Sequence, residues 1–502
     1  MRYLDYYVWK ISVIPEEYMI KKIDELFNLR GCICAVVGFL TIIMGGVINP
    51  YNHFLSGLVL IVAAFALYFV MVNMIANRNW LDLRAVFTGV WLATLGLAAL
   101  RLTDYQEQWL FKTWILLAVA YLMFQLGASL GVNHGGKIYD KKKSVTAKVH
   151  FEKVNFALKE DRLFVVCVVV TLIGLTCFII NVAIKGFIPA FSNDIYAYVN
   201  FYTKFHLFAV AATAVSGLCY YCIRTQPLGW VKKAILWLCI FYLVFVFPVL
   251  IVSRGVFIIA ALPLAITVFY LNKRKLHVFI FCIVVMGAVY LLTSNLRGYT
   301  DEQLGTLFEP SDIVIGGNDT EGTEDETDTD DPGDNNEVSF TLSPKAAFLY
   351  GYLTVSHDNF NEAVEHTEGY TWGARQVEAF NVILRIQAIT DTIENGEFYK
   401  VRPHLNTVNM MGLFYYDFHE WGIIFCSFLW ALLFGLVQGY YEKSRSIYSL
   451  LAHGFSMNAV VLSFFSSWVN SFELWMFCGV ILIISIVISI NFKSRRKANG
   501  KA

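Results

Sequence analysis

A succession of long apolar runs constrains the fold of this chain more than any other sequence feature. Hydrophobic residues make up 57% of the 502 residues, and charged residues make up only 16%. A helix of about 20 apolar residues spans the hydrocarbon core of a bilayer, where backbone groups must form their hydrogen bonds internally. The sequence therefore predicts an all-α polytopic membrane protein with about twelve transmembrane helices. The runs are 31–49, 54–75, 84–102, 109–131, 163–184, 203–222, 234–252, 256–271, 276–293, 421–440, 448–468 and 473–491.

Basic residues between the runs fall on one side of the predicted membrane. The segment 132–162 carries eight Lys/Arg against four Asp/Glu. If the chain crosses twelve times, the short basic turns around Lys232, Arg274 and Lys443 lie on the same side as this segment. Because Lys and Arg are enriched in cytoplasmic loops, we predict that this side and both termini are cytoplasmic.

The predicted layout has five parts. A charged N-terminal segment, 1–30, is cytoplasmic, and transmembrane helices 1–9 occupy residues 31–293. A large external loop covers 294–420. Transmembrane helices 10–12 follow in 421–491, and residues 492–502 form a basic cytoplasmic tail.

The external loop is the one long hydrophilic interval in the sequence. Between 294 and 405 it carries 22 Asp/Glu against six Lys/Arg, and ten of these acids lie in 317–337. That insert is too acidic and polar to bury a core, so we predict that it is disordered. Residues 343–400 alternate apolar and polar positions at helical spacing. This pattern predicts two or three amphipathic helices that lie over the membrane face.

Arginines near the predicted outer membrane surface are candidate substrate-binding residues. Arg254 lies in a short outer turn between two apolar runs, and Arg297 lies where the ninth run leaves the membrane. Guanidinium groups form paired, charge-assisted bonds to phosphate oxygens, so we predict that these residues bind an anion. The structural alternative is an arginine that extends to the lipid headgroups. Arg375, Arg385 and Arg402 are further candidates within the loop.

Three residues near the return to the membrane are candidate catalytic bases: His404, Asp417 and His419. Histidine titrates near neutral pH, and a carboxylate acts as a base when its pKa is raised. His357 and Asp358 are further candidates. The sequence has no metal-ligand spacing and no glycine-rich nucleotide loop, so we expect no metal and no cofactor. It also has no basic domain of the kind that binds nucleic acid.

Several short motifs, taken in their order along the chain, resemble the oligosaccharide repeat-unit polymerases, the Wzy-type enzymes of O-antigen and capsule assembly. The shared features are Gly186-Phe-Ile-Pro189 with Phe191-Ser192, Ser253-Arg254-Gly255 between two runs, Arg297, the large outer loop, and Tyr416-Asp417-Phe418 with Gly422. Arg385, followed by ten residues and then Gly396, is similar to an arginine motif of some members.

The chain departs from this family at two places. His419 stands where such chains usually have a glycine after Asp-Phe. In a related ligase motif Asn directly follows His, whereas here Leu405 separates His404 from Asn406. The second departure leaves the assignment of His404 as the base open.

The resemblance implies a bundle-type glycosyltransferase that needs neither a nucleotide donor nor a metal. Such an enzyme joins repeat units carried on undecaprenyl pyrophosphate into a surface polysaccharide at the outer face of the bacterial cytoplasmic membrane. Arginines at that face would stabilise the charge that develops on the pyrophosphate leaving group. The implied partners are the lipid-linked oligosaccharide and membrane lipids, with a flippase and a chain-length regulator as candidate partner proteins.

Two other functions remain open at this stage. A flippase or transporter for the same lipid-linked sugars also has about twelve spans, but transporters tend to carry charges near the membrane midplane. In this sequence the polar groups collect outside the runs instead. An O-antigen ligase moves a finished glycan onto another acceptor by the same chemistry, and the sequence does not separate ligase from polymerase.

Overall fold

The computed structural model of the chain is a bundle of long apolar helices. It describes residues 29–75, 78–103, 105–148, 160–192, 200–272, 342–394, 398–402 and 407–499, with the short stretches 313–315 and 338–340 and residues 277, 280, 284, 287 and 396. Within these residues eight helices are long and apolar enough to cross a membrane, and three shorter apolar helices accompany them. The chain is therefore a multi-pass membrane protein.

The described helices are numbered in chain order. They are α1 (Leu29–Ile48), α2 (His53–Met74), α3 (Leu83–Ala99), α4 (Phe111–Lys148), α5 (Glu160–Lys185), α6 (Lys204–Ala212), α7 (Ser216–Thr225), α8 (Trp230–Phe241), α9 (Phe247–Leu250), α10 (Arg254–Leu271), α11 (Pro344–His366), α12 (Ala374–Leu384), α13 (Gln387–Glu394), α14 (Met410–Ser444), α15 (Ile447–Val461) and α16 (Phe472–Asn499). Two three-residue strands, β1 (Ile313–Ile315) and β2 (Val338–Phe340), pair antiparallel.

The apolar runs of the sequence correspond to these helices with one run unassigned. Of the run 276–293 the structure describes only residues 277, 280, 284 and 287, and the acidic insert 317–337 lies outside the described residues. Every other run overlaps an apolar helix. The segment 132–162, predicted as a loop, is instead helical as far as Lys148. With 38 residues, α4 is about 57 Å long and extends well beyond a hydrocarbon core.

Glycines at a spacing of four bring α4 and α14 into backbone contact. The facing groups are Gly127 and the Phe428 carbonyl, Gly131 and the Leu432 carbonyl, and Gly135 and the Leu436 carbonyl. A Cβ atom at these glycines would lie between 2.2 and 2.3 Å from the facing oxygen, which no side chain tolerates. Small residues permit such close approach between membrane helices. Because the pairs advance together along both helices, α4 and α14 run parallel.

A buried polar cluster connects the ends of α3, α10 and α14. The Nε and Nη2 atoms of Arg84 donate to the Asp82 carboxylate at 3.0 and 2.8 Å, and Gln438 Nε2 donates to Asp82 at 2.8 Å. Tyr270 donates to Asn79 Oδ1 at 3.1 Å. The beginning of α3 and the ends of α10 and α14 therefore lie on one side of the bundle. Buried charges of this kind are stable only when they are paired, as Asp82 and Arg84 are.

Between 343 and 400, within the predicted external loop, lie the three helices α11, α12 and α13, which confirms the prediction of two or three helices there. The expectation that they lie over the membrane face is wrong for α11. This helix packs against α3, α4 and α14, and its residues 354–361 are buried. Its polar side chains find partners inside the bundle: Asn361 Oδ1 accepts from Thr113 Oγ1 at 2.8 Å and from Leu110 N at 3.0 Å. These bonds offset the cost of burying a polar helix face.

A glycine substitution on α4 tests the backbone contact with α14. We expect Gly135→Ala to lower the thermal midpoint of the detergent-solubilised protein, because its Cβ would lie 2.2 Å from the Leu436 carbonyl oxygen. Overpacking of this kind costs about 1–3 kcal/mol. Gly136→Ala is the matched control, since its Cβ would lie 3.6 Å from the nearest atom. Equal midpoints for the two variants would contradict the contact.

Candidate functional site

Asp417 lies within α14 and holds the beginning of α12. Its Oδ1 accepts hydrogen bonds from Thr371 Oγ1 at 2.5 Å, from Gly373 N at 3.1 Å and from Arg375 N at 3.2 Å. A carboxylate at a helix N-terminus satisfies free N–H groups and interacts favourably with the helix dipole. Asp417 is fully buried, and its Oδ2 has no hydrogen-bond partner among the described residues. This candidate base thus anchors α12 through one oxygen.

The helix α14 breaks immediately after Asp417. Phe418 has φ −145° and ψ 16°, and His419 has φ 49° and ψ −134°. The His419 ring stacks on those of Tyr370 and Tyr415, with centroid separations of 4.2 and 4.9 Å. Its Nε2 donates to the Gly369 carbonyl at 3.1 Å. The candidate base His419 is therefore held in an aromatic stack at the break.

Two positions near the break, Gly422 and Gly373, require glycine for different reasons. Beyond the break the chain passes so close to the preceding turn that a Cβ at Gly422 would lie 2.0 Å from the Phe414 carbonyl oxygen. Gly373, at the beginning of α12, has φ +83°, a backbone conformation that favours glycine. Gly422 belongs to the motif that carries the family resemblance, and its role here is close packing.

The Arg375 side chain is buried against two aromatic rings. Its guanidinium carbon lies 4.7 Å from the ring centroid of Tyr416 and 5.6 Å from that of Phe398, distances at which a cation interacts with an aromatic face. A Cβ at Gly396 would lie 3.3 Å from Arg375 Nη2. Gly396 is thus in contact with Arg375, whereas the sequence motif had associated it with Arg385.

Arg254 begins α10 and is only 4% exposed. Its guanidinium carbon lies 5.2 Å from the ring centroid of Phe348 and 5.1 Å from that of Tyr352, both on α11. An arginine that extends to lipid headgroups would be exposed at the bundle surface. The burial of Arg254 against α11 therefore argues against that alternative.

His357 and Asp358 point into the bundle from α11. His357 Nδ1 accepts from Asn409 Nδ2 at 3.1 Å and its Nε2 donates to Thr94 Oγ1 at 3.1 Å, while burial lowers its pKa to about 3. Asp358 accepts from Trp109 Nε1 at 3.0 Å and from Gln106 Nε2 at 3.1 Å. Burial raises the pKa of Asp358 to about 7, although these two hydrogen bonds oppose the shift.

The structure does not bring the remaining predicted site residues together with Asp417 and His419. The guanidinium carbon of Arg402 lies 5.8 Å from the ring centroid of Tyr105. Arg385 ends α12 with φ +50° and is exposed. His404 and Arg297 lie outside the described residues.

A cavity of about 1020 Å³ lies beneath α12. Its walls come from the beginnings of α6 and α10, from α12, and from the turn and helix that begin at Ser466. Tyr202 and Phe208 line it and are also exposed, so the cavity reaches the apolar outer surface of the bundle. Its apolar lining includes Leu207, Phe208, Val256, Ile259, Leu413 and Met476, and its polar lining includes Lys204, Glu378, Arg385, Asn470, Ser471 and Glu473.

Three charged side chains of the cavity are available to a ligand: Lys204, Glu378 and Arg385. Within the described residues no hydrogen bond or ion pair holds them, whereas Asn470 Nδ2 donates to the Arg375 carbonyl and Glu473 accepts from Ser471 Oγ at 2.6 Å. Desolvation raises the pKa of Glu378, with a smaller raising effect from Asp417 and an opposing one from Arg375.

The sequence analysis missed Lys204 and Glu378. A signal for Lys204 was present, because it stands at the predicted outer end of an apolar run as Arg254 does. No signal marked Glu378, which follows the ordinary polar spacing of an amphipathic helix. In the part of the chain that the structure describes, no group of three or more His, Cys, Asp or Glu side chains could hold a metal ion.

Comparison with protein-family models, with curated proteins and with solved structures finds no match to the chain.

The raised pKa of Asp358 predicts a pH-dependent stability. In the unfolded chain this carboxyl ionises near its ordinary value of 3.8, whereas in the folded protein it stays neutral up to about pH 7. Its contribution is therefore fully present below about pH 4 and is lost as the pH rises toward 7. We expect the thermal midpoint of the wild type to fall between pH 5 and pH 8 by more than that of Asp358→Asn.

The measurement is intrinsic fluorescence during heating of the solubilised protein at several pH values. Asp391→Asn, which changes an exposed carboxylate on α13, is the control and should follow the wild type. A constant difference between the wild type and Asp358→Asn across this range would contradict the prediction.

Proposed function

We propose that the protein is a glycosyltransferase that polymerises lipid-linked oligosaccharide repeat units at the outer face of the bacterial cytoplasmic membrane. The donor is a repeat unit on undecaprenyl pyrophosphate, and the product is a longer lipid-linked chain of a surface polysaccharide. The observation that carries this proposal is the cavity beside α12, whose lining combines apolar side chains with the charged side chains of Lys204, Glu378 and Arg385.

The form of the cavity suits an amphiphilic ligand. A volume of about 1020 Å³ is at the upper end of the range of small-molecule sites, about 300–1,000 Å³. The apolar walls formed by α6, α10 and α16 accommodate part of a prenyl chain, and the opening beside Phe208 lets the rest of the chain remain among lipids. A soluble sugar nucleotide needs no such opening.

The basic side chains in the cavity lining suit a pyrophosphate. Lys204 and Arg385 both line the cavity, and Arg385 was predicted from the sequence to bind substrate. Cations held at the site of developing negative charge stabilise the transition state for loss of a pyrophosphate. Arg254 stands between the lining residues Ser253 and Gly255 but faces α11, so we assign it an electrostatic effect on the anion without direct contact. Arg297 is the further arginine that we propose for this anion.

The proposed topology has twelve spans with both termini in the cytoplasm. The parallel direction of α4 and α14 agrees with this count, because both helices then run from the outside inward. The cluster around Asp82 and Gln438 then lies on the cytoplasmic side, and the cavity, near the beginnings of α6 and α10, lies on the outer side. On that side the lipid-linked donor is available only after it has crossed the membrane.

Deletion of the gene in its host separates this function from the two alternatives. We expect the long surface glycan to disappear while a single repeat unit is still attached, because only chain growth is lost. The readout is glycan length on a gel, with expression of the wild-type gene in the deletion strain as the control. Loss of all attached glycan would instead identify a ligase, and lipid-linked units held on the cytoplasmic side would identify a flippase.

A substitution at Arg385 tests the anion site. We expect Arg385→Asn to shorten the glycan strongly, since loss of one such donor costs about 10²–10³ in rate. Asparagine tolerates the left-handed backbone at this position, where φ is +50°. Arg445→Asn is the matched control, because Arg445 also ends a helix at φ +51° but does not line the cavity. Long glycan in the Arg385 variant, at equal protein level, would remove this arginine from the site.

A further inference from the structure

The cavity has two carboxylates, and they differ in how they are held. Glu473 accepts a hydrogen bond from Ser471 Oγ at 2.6 Å and lies in the first turn of α16, where the helix dipole favours its negative charge. The carboxylate of Glu378 has no hydrogen bond within the described residues. Glu378 is therefore the one of the two whose oxygens are available to a bound molecule.

The position of Glu378 is fixed by the anchoring of α12. Asp417 Oδ1 accepts from Arg375 N, and Asn470 Nδ2 donates to the Arg375 carbonyl. Both bonds hold the first turn of α12, and Glu378 follows three residues after Arg375 on the same helix. A side chain on a helix that is anchored in this way is more precisely placed than one on a loop.

We propose that Glu378 is the catalytic base that accepts the proton of the attacking sugar hydroxyl. This inference rests on the proposed polymerase function. The hydroxyl oxygen of the acceptor forms a bond to the anomeric carbon of the donor, and the bond between that carbon and the pyrophosphate oxygen breaks. The pyrophosphate leaves with the electron pair, and the hydroxyl proton passes to the Glu378 carboxylate, which later releases it to water.

The positions of Glu378 and Arg385 along α12 support a base at Glu378 and a pyrophosphate site at Arg385. Glu378 and Arg385 are seven residues apart, two turns of a helix, and both line the cavity. They are separated by about 10 Å along the helix axis, given a rise of 1.5 Å per residue. That distance leaves room for the reacting sugar between a base at Glu378 and a pyrophosphate at Arg385 and Lys204.

The surroundings of Glu378 raise the pKa of its carboxyl, although the residue remains exposed at the cavity. Desolvation by neighbouring residues favours the neutral carboxyl, Arg375 on its own helix opposes this shift, and Asp417 on α14 adds to it. Arg385, Lys204 and Glu473 face the same cavity from α12, α6 and α16. A carboxylate whose pKa is raised takes up a proton more readily than an ordinary surface glutamate.

The predicted bases Asp417 and His419 are less suited to this step. Neither lines the cavity. Asp417 Oδ1 is committed to the beginning of α12, and His419 lies in the stack with Tyr370 and Tyr415. We therefore regard Asp417 as a positioning residue for Glu378.

The test compares three glutamine variants in membrane vesicles from the host, which contain its own lipid-linked repeat units. We expect Glu378→Gln to slow chain growth by about 10²–10⁴-fold, the usual contribution of a general base. Glu394→Gln, on the exposed face of α13, is the control and should elongate chains as the wild type does. Loss of growth in Glu473→Gln together with normal growth in Glu378→Gln would overturn the assignment.

Two further measurements separate a catalytic role from a structural one. Purified Glu378→Gln should bind undecaprenyl pyrophosphate as tightly as the wild type, because the cations are unchanged. The wild-type rate should rise with pH as Glu378 ionises, and the residual rate of Glu378→Gln should not follow this rise. Loss of undecaprenyl pyrophosphate binding in the variant, or a pH profile like that of the wild type, would overturn the proposal.

The outcomes also distinguish this proposal from the proposed function. If the wild-type gene restores long glycan and Glu378→Gln does so equally well, only the base is wrong. If deletion of the gene leaves glycan length unchanged, the polymerase function and the base are both wrong.

Discussion

The contact between α4 and α14 is the interaction on which the rest of the bundle depends. The backbone of α4 lies directly against carbonyl oxygens of α14 at Gly127, Gly131 and Gly135. In the same way the backbone of α14 lies against carbonyl oxygens of α4 at Gly435 and Gly439. In a membrane the hydrophobic effect does not drive helices together, so close packing of small residues must supply much of the association. The two longest helices of the described chain therefore form one parallel pair, and α1, α3, α11, α12 and α15 pack against it.

In the described part of the chain, this pair contributes to two buried polar clusters. At one end Gln438 of α14 binds Asp82, which also pairs with Arg84 and caps α3. Near the other end α14 breaks at His419. Asp417 lies just before this break, and its carboxylate binds the beginning of α12 through one oxygen. A positive φ at a histidine is strained and costs about 1–3 kcal/mol, so the surrounding stack must hold it. At this break α14 holds the beginning of α12, a helix that contributes to the cavity lining.

The polar residues of α11 and α12 differ in what surrounds them. Those on α11, such as His357, Asp358 and Asn361, are buried and bonded to α3, α4 or the segment between them, so they hold α11 inside the bundle. Those on α12 that line the cavity, Glu378 and Arg385, have no side-chain hydrogen bond within the described residues. Position in the fold separates the two sets, because both helices have the same mixture of apolar and polar residues.

The sequence by itself determined the class of the protein and the position of the polar helical segment along the chain. Run length, hydropathy and the positions of Lys and Arg are local properties of the sequence. Helices that cross a bilayer can therefore be predicted from them directly. Only the tertiary structure decided which polar residues meet. Asp417 reaches α12 across 42 residues of chain, Arg254 lies against a helix about 90 residues further along, and Glu378 faces Lys204 across one cavity. Such pairings depend on how the helices pack. Helical periodicity indicates which side of a helix is buried, but it does not indicate which other helix packs against that side.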